Sequence, residues 1–228
     1  MALAKAEAGG SAGAAAGMEE ATVFLFATHV HHGLLPGAEG WNEALAALAQ
    51  SLAEEDEAGI AWCEANAYPG YTSYASLNDL PWRFPPFATL REALQPVVES
   101  FAAALALDLA GRPLELDSLW VNVLAPGGFH SGHIHPHSVI SGTYYVHTPP
   151  GSAALKLEDP RLPLMMAAPP RRADAAVEQR SFVYLTPQAG EVVLWESWLR
   201  HEVPLHDAED DRISVSFNYR WGANDRRA

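Results

Sequence analysis

Residues 120–146 read WVNVLAPGGFHSGHIHPHSVISGTYYV. One β-type run precedes and another follows a segment rich in histidine and glycine. From Leu114 onward the chain keeps this pattern, with short β-type runs separated by Pro, Gly and Asp. Such spacing is typical of an all-β sandwich or barrel. We therefore predict a jelly-roll-like β core over about residues 114–222. Its runs are 115–125, a His-rich segment from 129, 139–148, 153–159, 180–186, 191–197, 199–205 and 212–221.

The residues before this core predict one strand and then a helix. The apolar run 22–27 is the strand candidate. Apolar residues recur at 41, 45, 48 and 52, which is the spacing of an amphipathic helix. Asn42 is the expected N-cap of this helix and Gly59 its expected stop, because these residue types favour helix ends.

A second helix is predicted after a stretch rich in Pro, Gly, Ser and aromatic residues at 60–87, which resembles a loop. The helix should run over about 88–110, kink at Pro96 and close at Gly111. The expected fold class is therefore α+β, with a helical region at about 41–111 packed on one sheet of the β core.

The chain is long enough for one domain, which we place at residues 18–228. Residues 1–17 are Ala/Gly-rich and offer almost nothing large to bury, so we expect a low-complexity tail. Within the β region, residues 160–178 form a long insertion that is either a lid or an ordinary surface loop.

Composition limits the partners and the compartment. The net charge of -14, from 28 acidic against 14 basic residues, makes nucleic acid and anionic membranes poor partners. Neither an apolar run of membrane-spanning length nor a secretory signal occurs, so we expect a cytoplasmic protein. The single cysteine, Cys63, cannot form an internal disulfide and is expected to be a small buried hydrophobe. An exposed edge strand or the acidic helix could serve a homodimer.

Four histidines fall within eight residues, at His130, His133, His135 and His137. Side chains two apart on a strand project from the same face, so His133 and His135 can present two imidazoles to one metal ion. H-x-H alone is also found in plain surface turns. The later β run that contains His201 strengthens the metal hypothesis, because two ligands on one strand and a third from a distant strand occur inside a double-stranded β-helix.

The alternatives within the histidine cluster are weaker. A His135–His137 pair keeps the spacing, but Pro136 cannot donate to a strand ladder and should end the regular segment. His130 has the wrong parity for the metal-binding face, which favours a supporting or surface position.

Arg212 follows His201 by eleven residues and lies in an apolar β run. An arginine there needs an anion, and its planar fork suits a carboxylate. Ser214 lies on the same face and could donate one more hydrogen bond. A structural salt bridge is the alternative explanation for Arg212.

These motifs together resemble a group of bacterial and phage 2-oxoglutarate/Fe(II)-dependent oxygenases. The similar segments are 120–146, LEDPR at 157–161, the P-x-x-G-E-V-V-L-W-E-S-W-L-R-H-E-V run at 187–203 and RISVSFN at 212–218. VFLFATHV at 23–30 and the aromatic, Gly- and Ser-containing stretch near 68–77 also look similar, so the resemblance extends over about residues 20–222. The elements H-x-H-P, S-G-x-Y-Y and W-L-x-H-x-V are specific only in combination.

The resemblance implies a double-stranded β-helix (jelly-roll, cupin-like) core and a hydroxylase-type reaction that uses O2. It implies that His133, His135 and His201 hold Fe(II) and that 2-oxoglutarate chelates this metal. The far carboxylate of 2-oxoglutarate would then pair with Arg212, assisted by Ser214 and Tyr145. Parity agrees with Tyr145, since its neighbour Tyr144 points to the other face. Asn122 is a weaker candidate for a cosubstrate or substrate contact, and the substrate, a small molecule or a peptide, is not defined by these residues.

One residue departs from the usual iron site of this chemistry, which has two histidines and a carboxylate. His135 stands where the carboxylate is expected, which leaves the site one charge unit more positive. Two further hypotheses therefore stay open. The first is a three-histidine, cupin-like metal dioxygenase that does not use 2-oxoglutarate, and the second is a non-catalytic β-sandwich that binds a metal or small ligand.

Overall fold

Two antiparallel sheets form the β core in the computed structural model, which describes residues 22–222. One sheet has six strands in the order β1-β8-β5-β10-β3-β2, and the other has four in the order β4-β9-β6-β7. This is the predicted double-stranded β-helix. The strands are β1 (Val30–Leu34), β2 (Tyr71–Thr72), β3 (Leu114–Leu124), β4 (His130–His133), β5 (Ile140–His147), β6 (Leu155–Glu158), β7 (Phe182–Leu185), β8 (Glu191–Glu196), β9 (His201–Val203) and β10 (Arg212–Trp221).

Three α-helices cover the outer face of the six-stranded sheet, as the α+β prediction requires. They are α1 (Asn42–Glu55), α2 (Glu57–Ala65) and α3 (Pro85–Ala104). Leu45 of α1 and Leu94 of α3 are fully buried in one apolar cluster with Val215 and Phe217 of β10. Removing this apolar surface from water is what holds the helices on the sheet.

The inner faces of the two sheets enclose a smaller apolar cluster. Tyr145 and Trp195 of the six-stranded sheet pack there with Leu155 and Leu157 of the four-stranded sheet. Alternation along each strand separates the two layers, since Tyr144 belongs to the helix-side cluster and Tyr145 to the inner one. Strand β5 is thus buried on both faces.

The predicted ends of the first helix were wrong. Trp41 occupies the N-cap position, and Asn42 is already helical. The Asn42 Oδ1 atom instead accepts a hydrogen bond from the Tyr144 hydroxyl at 2.5 Å. Gly59 lies inside α2 and does not stop a helix. A methyl group on Gly59 would come within 2.2 Å of Asp56 Oδ2, so glycine is needed there for close approach.

The second predicted helix begins and ends earlier than expected, and α2 extends into the segment predicted as a loop. The first turn of α3 contains Pro85, where a missing N–H removes no helical bond. Pro96 is exposed inside α3, so the carbonyl group that it leaves free can reach water. The helix ends at Ala104, well before Gly111, because Ala106 already adopts a positive φ of 53°.

The predicted strand at 22–27 is not a strand. Its side chains are largely exposed, with Val23 at 68% and Phe24 at 70%, and the run pairs with no sheet. The N-terminal strand is instead β1, which pairs with β8 from Val30 opposite Trp195 to Leu34 opposite Glu191. The two-residue β2, which pairs with β3, was also missed.

The insertion at 160–178 is mostly exposed and has short 3-10 turns at Leu162–Leu164 and Val177–Gln179. The predicted tail at 1–17 lies outside the described residues, and the single domain over 18–228 stays a prediction. Among residues 22–222, no helix combines the length and the apolar character that crossing a membrane requires.

Candidate functional site

The model brings His133, His135 and His201 together. One ligand atom from each of these three imidazoles lies within 4.8 Å of the others. His133 ends β4 and is the direct partner of His201, which begins β9. His135 follows the strand, and its backbone N–H donates to the Ser197 carbonyl at 3.0 Å. Its Nε2 atom lies 3.2 Å from His201 Nε2.

Backbone carbonyls orient two of these rings for metal binding. His133 Nδ1 lies 2.7 Å from the Ser131 carbonyl oxygen, and His201 Nδ1 lies 2.9 Å from that of Leu199. A carbonyl can only accept, so each Nδ1 carries the proton and each Nε2 keeps its lone pair. This is the tautomer in which an imidazole binds a metal through Nε2.

Burial favours the neutral form of His135 and His201. Burial, followed by the effect of neighbouring His133, lowers the pKa of His201 to about 3 and that of His135 to about 4. Metal ions bind the neutral form of imidazole, so these two rings need not release a proton before a metal binds.

His137 does not join this group. It has a positive φ of 74° just after Pro136, where the regular strand has ended. The pair His135–His137 is therefore not supported by the backbone.

The parity argument for His130 was wrong, although His130 does take the supporting position that we expected, outside the group of three ligands. His133 is paired with His201 and His130 with Val203, and the register shifts between them. Two residues on β4 thus oppose the single Glu202 on β9, which is a β-bulge. Because His201 and Val203 project to one side, their partners His130 and His133 do so as well. The bulge turns His130 inward, where burial, together with Arg212 and His133, lowers its pKa to about 3.

Arg212 is buried inside the β core with only 2% of its surface exposed. Its Nε atom has no hydrogen-bond partner, and its NH1 group reaches only Ser214 Oγ, at 3.4 Å. The guanidinium carbon lies 4.9 Å from the centre of the Tyr145 ring, whose buried hydroxyl is also unpartnered. No acidic side chain of residues 22–222 forms an ion pair with Arg212. The structural salt bridge is therefore not observed there, and a buried cation without an anion is costly unless a ligand supplies one.

Asn122 is fixed by two hydrogen bonds and is not free. Its Oδ1 accepts from the Thr72 hydroxyl at 2.8 Å, and its Nδ2 donates to Ser216 Oγ at 3.0 Å. These three polar side chains form one continuous wall beside Ser214.

A cavity of about 300 Å³ connects the histidines with Arg212. None of its lining residues, all within the described chain, is acidic, and several aromatic side chains contribute to its walls. Trp120 stacks near His135 with ring centres 5.9 Å apart, and Tyr74 packs edge-on against Trp120. Trp195 packs on His201 at 4.6 Å with its buried Nε1 unpartnered. Sequence reasoning missed Tyr68, Thr72 and Tyr74 as site residues because they come from a loop region without a regular spacing signal.

Other polar residues near the motifs have ordinary structural roles. Glu202 points away from the cavity and accepts a hydrogen bond from Lys156 at 2.6 Å. Asp159 is held by Arg161 in a bidentate pair. Cys63 is buried in the helix-side core, as expected.

The comparisons with known proteins agree with this geometry. Residues 118–218 match the family model described as "Putative 2OG-Fe(II) oxygenase". This range contains all seven predicted ligand and cosubstrate residues. No curated protein matches the chain.

Several solved structures share the fold. A prolyl-4-hydroxylase from Pseudomonas putida is 17% identical and covers 85% of this chain and 93% of its own, with a TM-score of 0.57. HygX from Streptomyces hygroscopicus with iron bound is 14% identical, covers 85% and 82%, and has a TM-score of 0.53. The epimerase SnoN in complex with Fe3+, alpha ketoglutarate and nogalamycin RO is 17% identical, covers 85% and 79%, and has a TM-score of 0.55. At these identities the likeness to the solved structures concerns the fold, and the match to the 2OG-Fe(II) oxygenase family model covers residues 118–218.

Proposed function

We propose that this protein is an Fe(II)- and 2-oxoglutarate-dependent oxygenase of the hydroxylase type. The observation that carries the proposal is the presence, in one cavity, of three convergent imidazoles and a buried guanidinium without an anion. The match of residues 118–218 to the 2OG-Fe(II) oxygenase family model supports this assignment.

The residues present fit both groups. His133, His135 and His201 would hold Fe(II) through their Nε2 atoms, since two of the Nδ1 atoms are already engaged by carbonyls. Arg212 would pair with the far carboxylate of 2-oxoglutarate, because its Nε and the Tyr145 hydroxyl are buried donors that lack an acceptor.

When bound, Fe(II) and 2-oxoglutarate supply the oxidising chemistry, in which O2 gives one oxygen atom to a substrate C–H bond and the other to succinate, with release of CO2. The chain itself binds and orients. Arg212 and Ser214 would hold the far carboxylate of the cosubstrate, and the three histidines would hold the Fe(II) that its other end chelates.

A three-histidine metal dioxygenase that does not use 2-oxoglutarate is the second candidate, and His135 in place of a carboxylate favours it. This second candidate, however, assigns no role to Arg212 and Tyr145. The non-catalytic hypothesis expects a metal site closed to ligands, whereas the imidazoles here border the cavity.

Anaerobic titration of the Fe(II)-loaded protein with 2-oxoglutarate tests the proposal. Chelation of the metal by the keto acid should produce a weak visible charge-transfer band. If iron binds and no band appears, the three-histidine enzyme without 2-oxoglutarate becomes the better explanation. If iron does not bind, the non-catalytic hypothesis becomes the better explanation. The cytoplasmic location and the homodimer stay predictions from sequence.

A further inference from the structure

Tyr68 and His130 form a hydrogen-bonded pair at the cavity that the proposed function does not use. The Tyr68 hydroxyl contacts His130 Nε2, and the two rings meet edge to face with centres 5.0 Å apart. Both residues line the same cavity as Arg212 and His133. They come from distant parts of the chain, and the β4 bulge is what turns His130 toward Tyr68.

This pair has one hydrogen-bond donor to spare. A tyrosine hydroxyl and a neutral imidazole together offer two donors, and the bond between them uses only one. If the hydroxyl donates to Nε2, the imidazole N–H at Nδ1 remains; if Nε2 donates, the hydroxyl proton remains. In either arrangement the pair can donate to a ligand in the cavity.

The surroundings select an anionic ligand group. Arg212 lines the same cavity as Tyr68 and His130, so its positive charge and the pair border one space. No carboxylate of the described chain lines this cavity, so a cationic group and a spare donor share a space without an acceptor charge. Tyr145 approaches Arg212 from β5, and β3, the other neighbour of β10, leads into the turn before His130.

We infer that Tyr68 and His130 complete the binding site for the far carboxylate of the cosubstrate, donating one hydrogen bond to it beside Arg212. The inference rests on the proposed function and adds two binding residues to it. It gives the tyrosine–histidine contact a role that depends on the length of the ligand: a keto acid without a far carboxylate cannot reach the pair.

Two keto acids test this inference. The Fe(II)-loaded protein is titrated anaerobically with 2-oxoglutarate and, separately, with pyruvate, which has the same metal-chelating end but no far carboxylate. The double variant Tyr68→Phe/His130→Phe keeps both rings and removes every donor of the pair. We expect its affinity for 2-oxoglutarate to fall about tenfold, the loss of one hydrogen bond to a charged group, while pyruvate affinity changes less than about twofold.

Each single variant leaves one donor, so we expect a smaller loss of about threefold. The single variants carry the test if the double variant fails to fold. Tyr184→Phe, which removes an exposed hydroxyl on β7, is the matched control and should change neither affinity. Calorimetry with Ni(II) measures the metal site independently of turnover.

The outcomes separate the inference from the proposed function. An unchanged 2-oxoglutarate affinity in the double variant, or equal losses for both keto acids, would overturn the inference. A parallel loss of Ni(II) binding would also overturn it, since the pair would then support the metal site. A wild-type protein that binds iron but gives a band with neither keto acid would contradict the proposed function itself.

Discussion

Replacing Arg212 should separate cosubstrate binding from folding. The guanidinium is buried and lacks an anion, so the protein without cosubstrate bears an uncompensated charge. Arg212→Met keeps much of the side-chain volume and removes that charge. We therefore expect the variant to unfold at the same denaturant concentration as the wild type or a higher one, provided that no cosubstrate is present.

The same change should weaken 2-oxoglutarate strongly. The far carboxylate of the bound cosubstrate would lose its charged partner inside the cavity, which costs about 2 kcal/mol or more. That free energy corresponds to a dissociation constant raised about 30-fold. Metal affinity should not change, because Arg212 lies outside the group of three histidines.

The assay is the anaerobic charge-transfer titration, with calorimetry for Ni(II) and urea denaturation of the metal-free protein. Arg83→Met is the matched control, since Arg83 is an exposed arginine paired with Asp79. An unchanged 2-oxoglutarate affinity in Arg212→Met would refute the cosubstrate assignment. A large loss of stability without ligand would refute the argument that the buried charge is uncompensated.

Three further predictions concern the metal site and the helices. His201→Ala should abolish Fe(II) binding and turnover, as measured by anaerobic calorimetry, and retained binding would show that the ion lies elsewhere. His135→Glu should bind Ni(II) more tightly than His135→Ala, because a carboxylate can replace the imidazole as a ligand. As the control, His137→Ala should bind Ni(II) as tightly as the wild type, and a loss of affinity in this variant would support the His135–His137 pair. Gly59→Ala should lower the free energy of unfolding by about 1–3 kcal/mol through its clash with Asp56, whereas Gly40→Ala, whose new methyl meets nothing within 4 Å, should not.

The β core was predictable because each β run contains a local sequence signal for a strand. All eight predicted runs contain strands, and the parity rule assigned Tyr144 and Tyr145 to opposite faces. Both signals are local: alternation and the turn residues between runs fix a strand without knowledge of its partner. The convergence of His133, His135 and His201 followed from motif order and the family resemblance.

The failures depend on contacts and register that the pattern of residue types does not show. The apolar run 22–27 has a strand-like composition but finds no partner strand. Gly59 has the composition of a helix stop, yet it is retained inside α2 because Asp56 packs against it. The parity argument for His130 was wrong because a β-bulge inserts one residue into the register of β4. The sequence of this four-residue strand gives no sign of the bulge.

The burial of β5 on both faces has a consequence for changing the substrate range of this protein. On the helix side, Tyr144 accepts from Trp41 Nε1–H at 3.0 Å and donates to Asn42, so the start of α1 is fastened to this strand. A substitution in β5 would therefore disturb two layers at once. Directed evolution of substrate range should therefore target the exposed rim of the cavity. Tyr74 and Ile134 lie there, and substitutions at these positions do not disturb the helix-side core.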